Sequence, residues 1–121
     1  MSNFRVDFYK ENDGSKPLGD FIRSLDTKMK AKVVANLRLL EEYGNKAREP
    51  LSKSLGDGIF EIRTIENGNI VRILYFFDND RIIIATNGFV KKQQRTPQSE
   101  IDLAKKRRDD YYDRKESGTY E

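Results

Sequence analysis

The 121-residue chain contains no cysteine and no histidine. Without cysteine there are no disulfides, thiol nucleophiles, cysteine zinc sites or iron–sulfur clusters. Without histidine, Ser-His-Asp hydrolysis, His-paired ribonuclease chemistry and histidine metal sites fall away too. A carboxylate-only metal site stays open, but no carboxylate cluster has the spacing of a calcium loop, and the expectation is no metal and no cofactor. No apolar run approaches the ~20 residues that span a bilayer. Met1-Ser2-Asn3-Phe4-Arg5-Val6-Asp7 is too short and polar for a signal peptide. A cytoplasmic protein without a membrane partner is the expectation.

What is abundant is charge. Lys and Arg total 23 against 20 Asp and Glu, a net charge of +3, and charged residues make up 36% of the chain. Apolar residues also reach 36%, so disorder throughout is not expected. The length suits one domain, 1–121, with residues 116–121 as a frayed tail.

The pattern changes period along the chain. Phe4, Val6 and Phe8 alternate with Arg5, Asp7 and Tyr9, which predicts a strand with one buried face. After turn residues Glu11 to Ser15, Pro17 suits a helix start, and Leu18, Phe21, Ile22 and Leu25 form an apolar stripe. Asp26-Thr27 is a cap for a second helix over 28–43, with Met29, Val33, Leu37 and Leu40 on one face. Gly44-Asn45 predicts a left-handed ending, and the short connection predicts an antiparallel hairpin of helices. Beyond Pro50 come a short edge segment at 51–55 and strands at 59–65, 70–77 and 81–90. Asn67-Gly68 marks a hairpin turn. The last two strands are apolar on both faces, so Tyr75 and Phe77 read as core and these strands as the middle of the sheet. Thr96-Pro97 reads as cap and first residue of a final helix, with Ile101, Ala104, Arg108 and Tyr111 on one face. The fold class is therefore α+β: an N-terminal strand and a helix hairpin on a small, mainly antiparallel sheet, with a C-terminal helix.

Residues 81–99 carry Arg81, Lys91, Lys92 and Arg95 and no acid. They lie where the last strand leaves the sheet and the last helix begins. Basic side chains and helix N–H groups can converge there on a phosphate; a solvated basic loop is the other reading. The Asn67-Gly68 turn brings Arg63 near Arg72 on the face away from the helix hairpin. Like charges side by side are destabilising, so either a bound anion or the neighbouring Glu61 must compensate. Lys53 can reach the same face or simply protect the edge. Phe89 can stack on a base or fill the core. Lys105-Lys106-Arg107-Arg108, followed by Asp109-Asp110, reads as a solvated helix.

The segments Ile59-Phe60-Glu61-Ile62-Arg63, Val71-Arg72-Ile73-Leu74-Tyr75 and Phe89-Val90-Lys91-Lys92 come next, followed by Arg95-Thr96-Pro97-Gln98-Ser99-Glu100-Ile101-Asp102-Leu103-Ala104. In this order of elements they resemble the RelE/ParE toxin superfamily, in particular its HigB-like, phage-derived branch. The resemblance implies a RelE-like fold and the toxin of a type II toxin–antitoxin system. It implies a metal-independent mRNA endonuclease that works in the ribosomal A site through the RNA 2′-hydroxyl, leaving a cyclic phosphate. Its partners would be mRNA, the ribosome and a small antitoxin with a helix-turn-helix domain. Carried over by position, Arg72, Lys91 and Lys92 are the catalytic candidates. Lys53, Arg63, Arg95 and Phe89 would bind RNA, and Glu100 would be structural. The tyrosine or histidine that such enzymes place near the final helix start is missing here, and Tyr111 and Tyr112 lie far along the helix. Arginine remains protonated and can only hold or stabilise charge. A lysine acting as base must move from ~10.4 to about 7, roughly 4 kcal/mol of differential interaction. A ParE-like gyrase inhibitor and a non-catalytic nucleic-acid- or partner-binding phage protein are the alternatives.

Overall fold

Strand β1 (Arg5–Phe8) leads into helices α1 (Pro17–Arg23) and α2 (Thr27–Tyr43). Strands β2 (Ser52–Gly56), β3 (Ile59–Glu66), β4 (Asn69–Asp78) and β5 (Ile82–Val90) then form a meander, and α3 (Gln98–Ser117) follows. The computed structural model describes residues 3–90 and 95–120. The strands form one sheet in the order β1-β5-β4-β3-β2, with β1 parallel to β5 and every other pair antiparallel. This is the expected α+β architecture, and β4 and β5 lie inside the sheet, as their two apolar faces require.

Each face of the sheet receives its own helices. Val71, Ile73 and Tyr75 point toward Leu18, Ile22, Val33 and Leu40 of the helix hairpin. Leu74 and Phe76 point the other way, onto Ala104 and Tyr111 of α3. Asp26 caps α2 as its sequence indicates, accepting from the Met29 amide at 2.9 Å. Asn67 and Gly68 both take positive φ, 52° and 79°, the geometry of a two-residue hairpin. This turn fixes Glu66 opposite Asn69 and, three residues further in, Arg63 opposite Arg72.

One irregularity decides which side chains meet α3. The β4–β5 register steps from Tyr75↔Ala85 to Leu74↔Asn87, leaving Thr86 as a bulge. Beyond it the alternation of β5 is inverted. Asn87 and Phe89 turn toward α3, and Gly88 turns under α1. A Cβ on Gly88 would stand 3.0 Å from both Leu18 and Phe21.

Four sequence expectations change. Gly44 does not end α2 in the left-handed helical region; its backbone lies at φ 52°, ψ −126° and enters a short 3-10 turn. Phe4 occupies the space where a Cβ would stand. Arg81 belongs to the turn before β5, at φ 60°. Within the tail expected to fray, Tyr120 is docked: it packs against Tyr9 and Tyr111, and its hydroxyl accepts from the Lys10 amide at 2.8 Å. The basic run of α3 is not simply solvated. Arg107 donates to the bulge carbonyl of Thr86 at 2.8 Å, and Arg108 donates to the Asp57 carbonyl in the β2–β3 turn. A helix bearing little apolar surface is held to the sheet in part by these polar ties.

Two predictions follow from these contacts. Gly44→Ala places a methyl in the Phe4 ring and should cost about 1–3 kcal/mol in urea denaturation; Phe4→Ala in the same chain should recover part of that loss. The second concerns Asp78, at the end of β4, whose side chain is 2% exposed. Burial raises its pKa, but donation from Lys115 (2.6 Å), Tyr111 and the Asn79 amide outweighs burial and holds the carboxyl below its usual range. A depressed carboxylate contributes stability above its unfolded pKa, ~3.9, and that contribution is lost as pH falls through the lower folded value. Asp78→Asn should therefore cost about 1–3 kcal/mol at pH 7. It should also flatten the acid limb below about pH 4, read from denaturation midpoints across a pH series.

Candidate nucleic-acid interface

The site forms on the α3 side of the sheet, around a carboxylate. Glu61 lies in the middle of β3 between Phe60 and Ile62, and it is 1% exposed. A buried ionised carboxylate needs donors, and three groups surround it. Arg72, on the neighbouring strand, donates from Nη1 to Oε2 at 2.7 Å and is itself 1% exposed. Thr96, just ahead of α3, donates from its hydroxyl to Oε1. Arg63, two residues along β3, brings Nε within 3.9 Å of Oε2.

This arrangement resolves the juxtaposition that the hairpin register imposes. Two guanidiniums stand directly opposite each other, which is unfavourable, and one carboxylate lies diagonal to the pair. Glu61 is committed mainly to Arg72. Arg63 is left with a 3.3 Å contact to exposed Glu49 and keeps 23% of its side chain in solvent. An exposed pair of that kind contributes ~0–1 kcal/mol, so Arg63 is the strand cation that an incoming anion can engage.

The register also sets Lys53 opposite Glu61, hence on the same face. Lys53 is exposed and makes no ion pair among the described residues. It lines a cleft of about 720 Å³ that also touches Arg48, Glu49 and Phe60. Arg95 is exposed next to Thr96. Five of the seven residues singled out from the sequence thus lie on or beside one face: Lys53, Arg63, Arg72, Phe89 and Arg95. Lys91 and Lys92 lie outside the described residues.

Two of the five differ in character from the sequence expectation. Arg72 is not on an open concave surface; it is buried and engaged by Glu61. Phe89 stands opposite Arg72 in the ladder, but it is 9% exposed and packed in the apolar cluster beneath α3. Its ring is core, with no free face for a base. The Thr86 bulge put it there.

Thr96 also plays another part than the one its position suggests. The N-cap of α3 is Pro97, whose side chain offers no cap bond; Thr96 stands one residue ahead of it, and its hydroxyl donates to Glu61. Sequence reasoning paired Glu61 with Arg63 and missed this contact. The available signal was a lone acid inside an apolar strand, which requires buried donors from somewhere. Glu100, read from the sequence as structural, is tied to the sheet: Asn87 of β5 donates to its Oε1 at 2.9 Å and to its carbonyl at 3.2 Å. Tyr111 is buried, and its hydroxyl donates to Asp78. Burial and Asp78 both raise its pKa, so it is unsuited to take a proton. No group of three or more metal-ligating side chains occurs among the described residues, and no described helix is long and apolar enough to cross a membrane.

A family model described as phage derived protein Gp49-like (DUF891) matches residues 20–109. No curated protein matches the chain. Among solved structures it is similar to a chain of the archaeal RelE-RelB complex from Pyrococcus horikoshii OT3. The two are 14% identical over 77% of this chain and 99% of that one, with a TM-score of 0.49.

Removing one member of the buried pair should be severe. Arg72→Ala strands the Glu61 carboxylate and should cost about 3–5 kcal/mol, whereas Arg72→Met combined with Glu61→Leu should recover most of it. Urea denaturation of the three proteins checks this, and a single variant as stable as the double one would refute it.

Proposed function

The chain belongs to the Gp49-like family of phage-derived proteins, a RelE/HigB-type toxin family, and on that premise we propose that it is a ribosome-dependent mRNA endonuclease that blocks translation. The observation that carries the reading is the gathering of positive charge on one sheet face. Two strand guanidiniums share Glu61, with exposed Glu49 also in reach of Arg63, and Lys53 and Arg95 stand beside them without ion-pair partners among the described residues. Arg63, Lys53 and Arg95 are the groups able to grip the RNA backbone. Arg72 lies beside Arg63 on the neighbouring strand and holds Glu61 in place, so that the carboxylate is set without reorganisation when the reaction occurs.

The reaction is internal transfer at phosphorus. The 2′-hydroxyl attacks the adjacent phosphorus, the bond to the 5′-oxygen breaks, and the products carry a 2′,3′-cyclic phosphate and a 5′-hydroxyl. A base takes the 2′-hydroxyl proton, an acid supplies one to the leaving oxygen, and cations stabilise the charge that builds on the phosphate. In this proposal Lys91 and Lys92, which follow β5 in the sequence, carry the proton transfers, and the ribosome orients the RNA. A small antitoxin, bearing a helix-turn-helix domain in our proposal, restrains the toxin, and the toxin acts in the cytoplasm.

The test is induced expression, with primer extension along a reporter transcript, and cleavage on purified translating ribosomes. Transcripts cut within reading frames are expected. Arg63→Ala should lower the rate by about 10²-fold, the scale of one lost charge-stabilising donor, and leave folding intact. Intact transcripts accompanied by DNA damage would sink the reading in favour of a gyrase target. Growth unaffected by expression would sink both.

A further inference from the structure

We propose that Thr96 and Glu61 form a latch that positions the start of α3, and with it Arg95, against the strand guanidiniums. This rests on the RNA-cleaving reading and adds to it what holds the site in register. Thr96 and Glu61 are positioning residues, because neither is placed to touch the RNA.

The geometry assigns the two oxygens of Glu61 to different parts of the fold. Oε2 faces Arg72 on β4 and Arg63 on β3. Oε1 takes the hydroxyl of Thr96, which is 8% exposed and 35 residues away in the chain. One buried carboxylate thus spans two strands and the entry to a helix. The hydroxyl-to-carboxylate bond is charge-assisted and stronger than one between neutral groups.

Thr96 stands one residue ahead of Pro97, the N-cap of α3, which makes no side-chain cap bond. Its hydroxyl bond to Glu61 is a tertiary contact that sets where the chain enters the helix. Arg95 is the adjacent residue and is exposed, so its reach toward Arg63 is set by where Thr96 is anchored. An angstrom of misplacement is enough to weaken transition-state contacts substantially.

A separate tie makes the latch testable. Asn87 donates to Glu100 in the first turn of α3, and Ile101 and Ala104 pack into the apolar cluster below. These keep the helix docked when the hydroxyl is removed. Thr96→Val preserves shape and apolar contact and deletes only the donor; Thr96→Ser restores the donor. The three proteins are compared by melting, by amide hydrogen exchange over residues 98–101, and by cleavage of mRNA on translating ribosomes.

The valine variant should melt within a few degrees of the parent but exchange faster at the helix start. Its kcat should fall roughly tenfold or more with KM little changed, and serine should return both readouts toward the parent. Exchange at the parent's rate overturns the latch. Faster exchange with undiminished cleavage overturns its positioning role. A parent protein that cuts no mRNA refutes the RNA reading instead, and the exchange comparison then decides the latch by itself.

Discussion

A buried carboxylate cannot remain ionised without donors, and Glu61 organises its surroundings on that constraint. Its position in β3 is dictated by the pleat, which turns Ile62 into the core beneath the helix hairpin and Glu61 to the opposite face. Once there, it requires Arg72 from β4 and Thr96 from the entry to α3. The same carboxylate permits the opposed arginines that the β3–β4 register forces together. Sheet, helix entry and cationic face therefore share one electrostatic centre. The arrangement does not maximise stability, since apolar residues of similar volume can do as well or better. What it supplies is geometry, with charges fixed in known places.

The chemistry of the face follows from how that centre divides its two cations. Arg72 is neutralised and sealed away, and Arg63 keeps part of its guanidinium in solvent. On the proposed reading, an RNA phosphate arriving at this face meets Arg63, Lys53 and Arg95 beside the compensated Arg72–Glu61 pair. Preorganised charge of this kind costs no reorganisation during a reaction, and it suits a phosphate better than a small apolar ligand. The α3 helix contributes by docking rather than by supplying reactive groups. Its tyrosines are used in packing, with Tyr111 donating to Asp78 and Tyr112 to the Phe77 carbonyl, and its arginines in binding the Thr86 carbonyl and the Asp57 turn.

Much of the architecture could be read directly along the chain. Asp26, Asn67-Gly68 and the apolar stripes act over a few residues, and the elements they predict are present. The candidate site was legible in part. The hairpin turn implied that Arg63 and Arg72 meet, and they do. The burial of Arg72 was not legible, nor was the loss of Phe89 to the core, because both depend on α3 lying across the sheet. The Thr86 bulge left no mark in the alternation of β5, where nearly every residue is apolar or small. Phe89 could therefore be assigned to the sheet but not to a face.

What the sequence determined by itself is local: the order of helices and strands, the two-residue turn and the register it enforces, and the absence of thiol and imidazole chemistry. Backbone propensity, turn geometry and side-chain inventory operate at short range and need no partner. The tertiary structure decided which groups satisfy Glu61, which cation stays in solvent and which face β5 shows to α3. Those choices join residues 11 and 35 positions apart. They are made by the demand of a desolvated charge for whichever donors packing brings within reach, a demand that no short window of sequence contains.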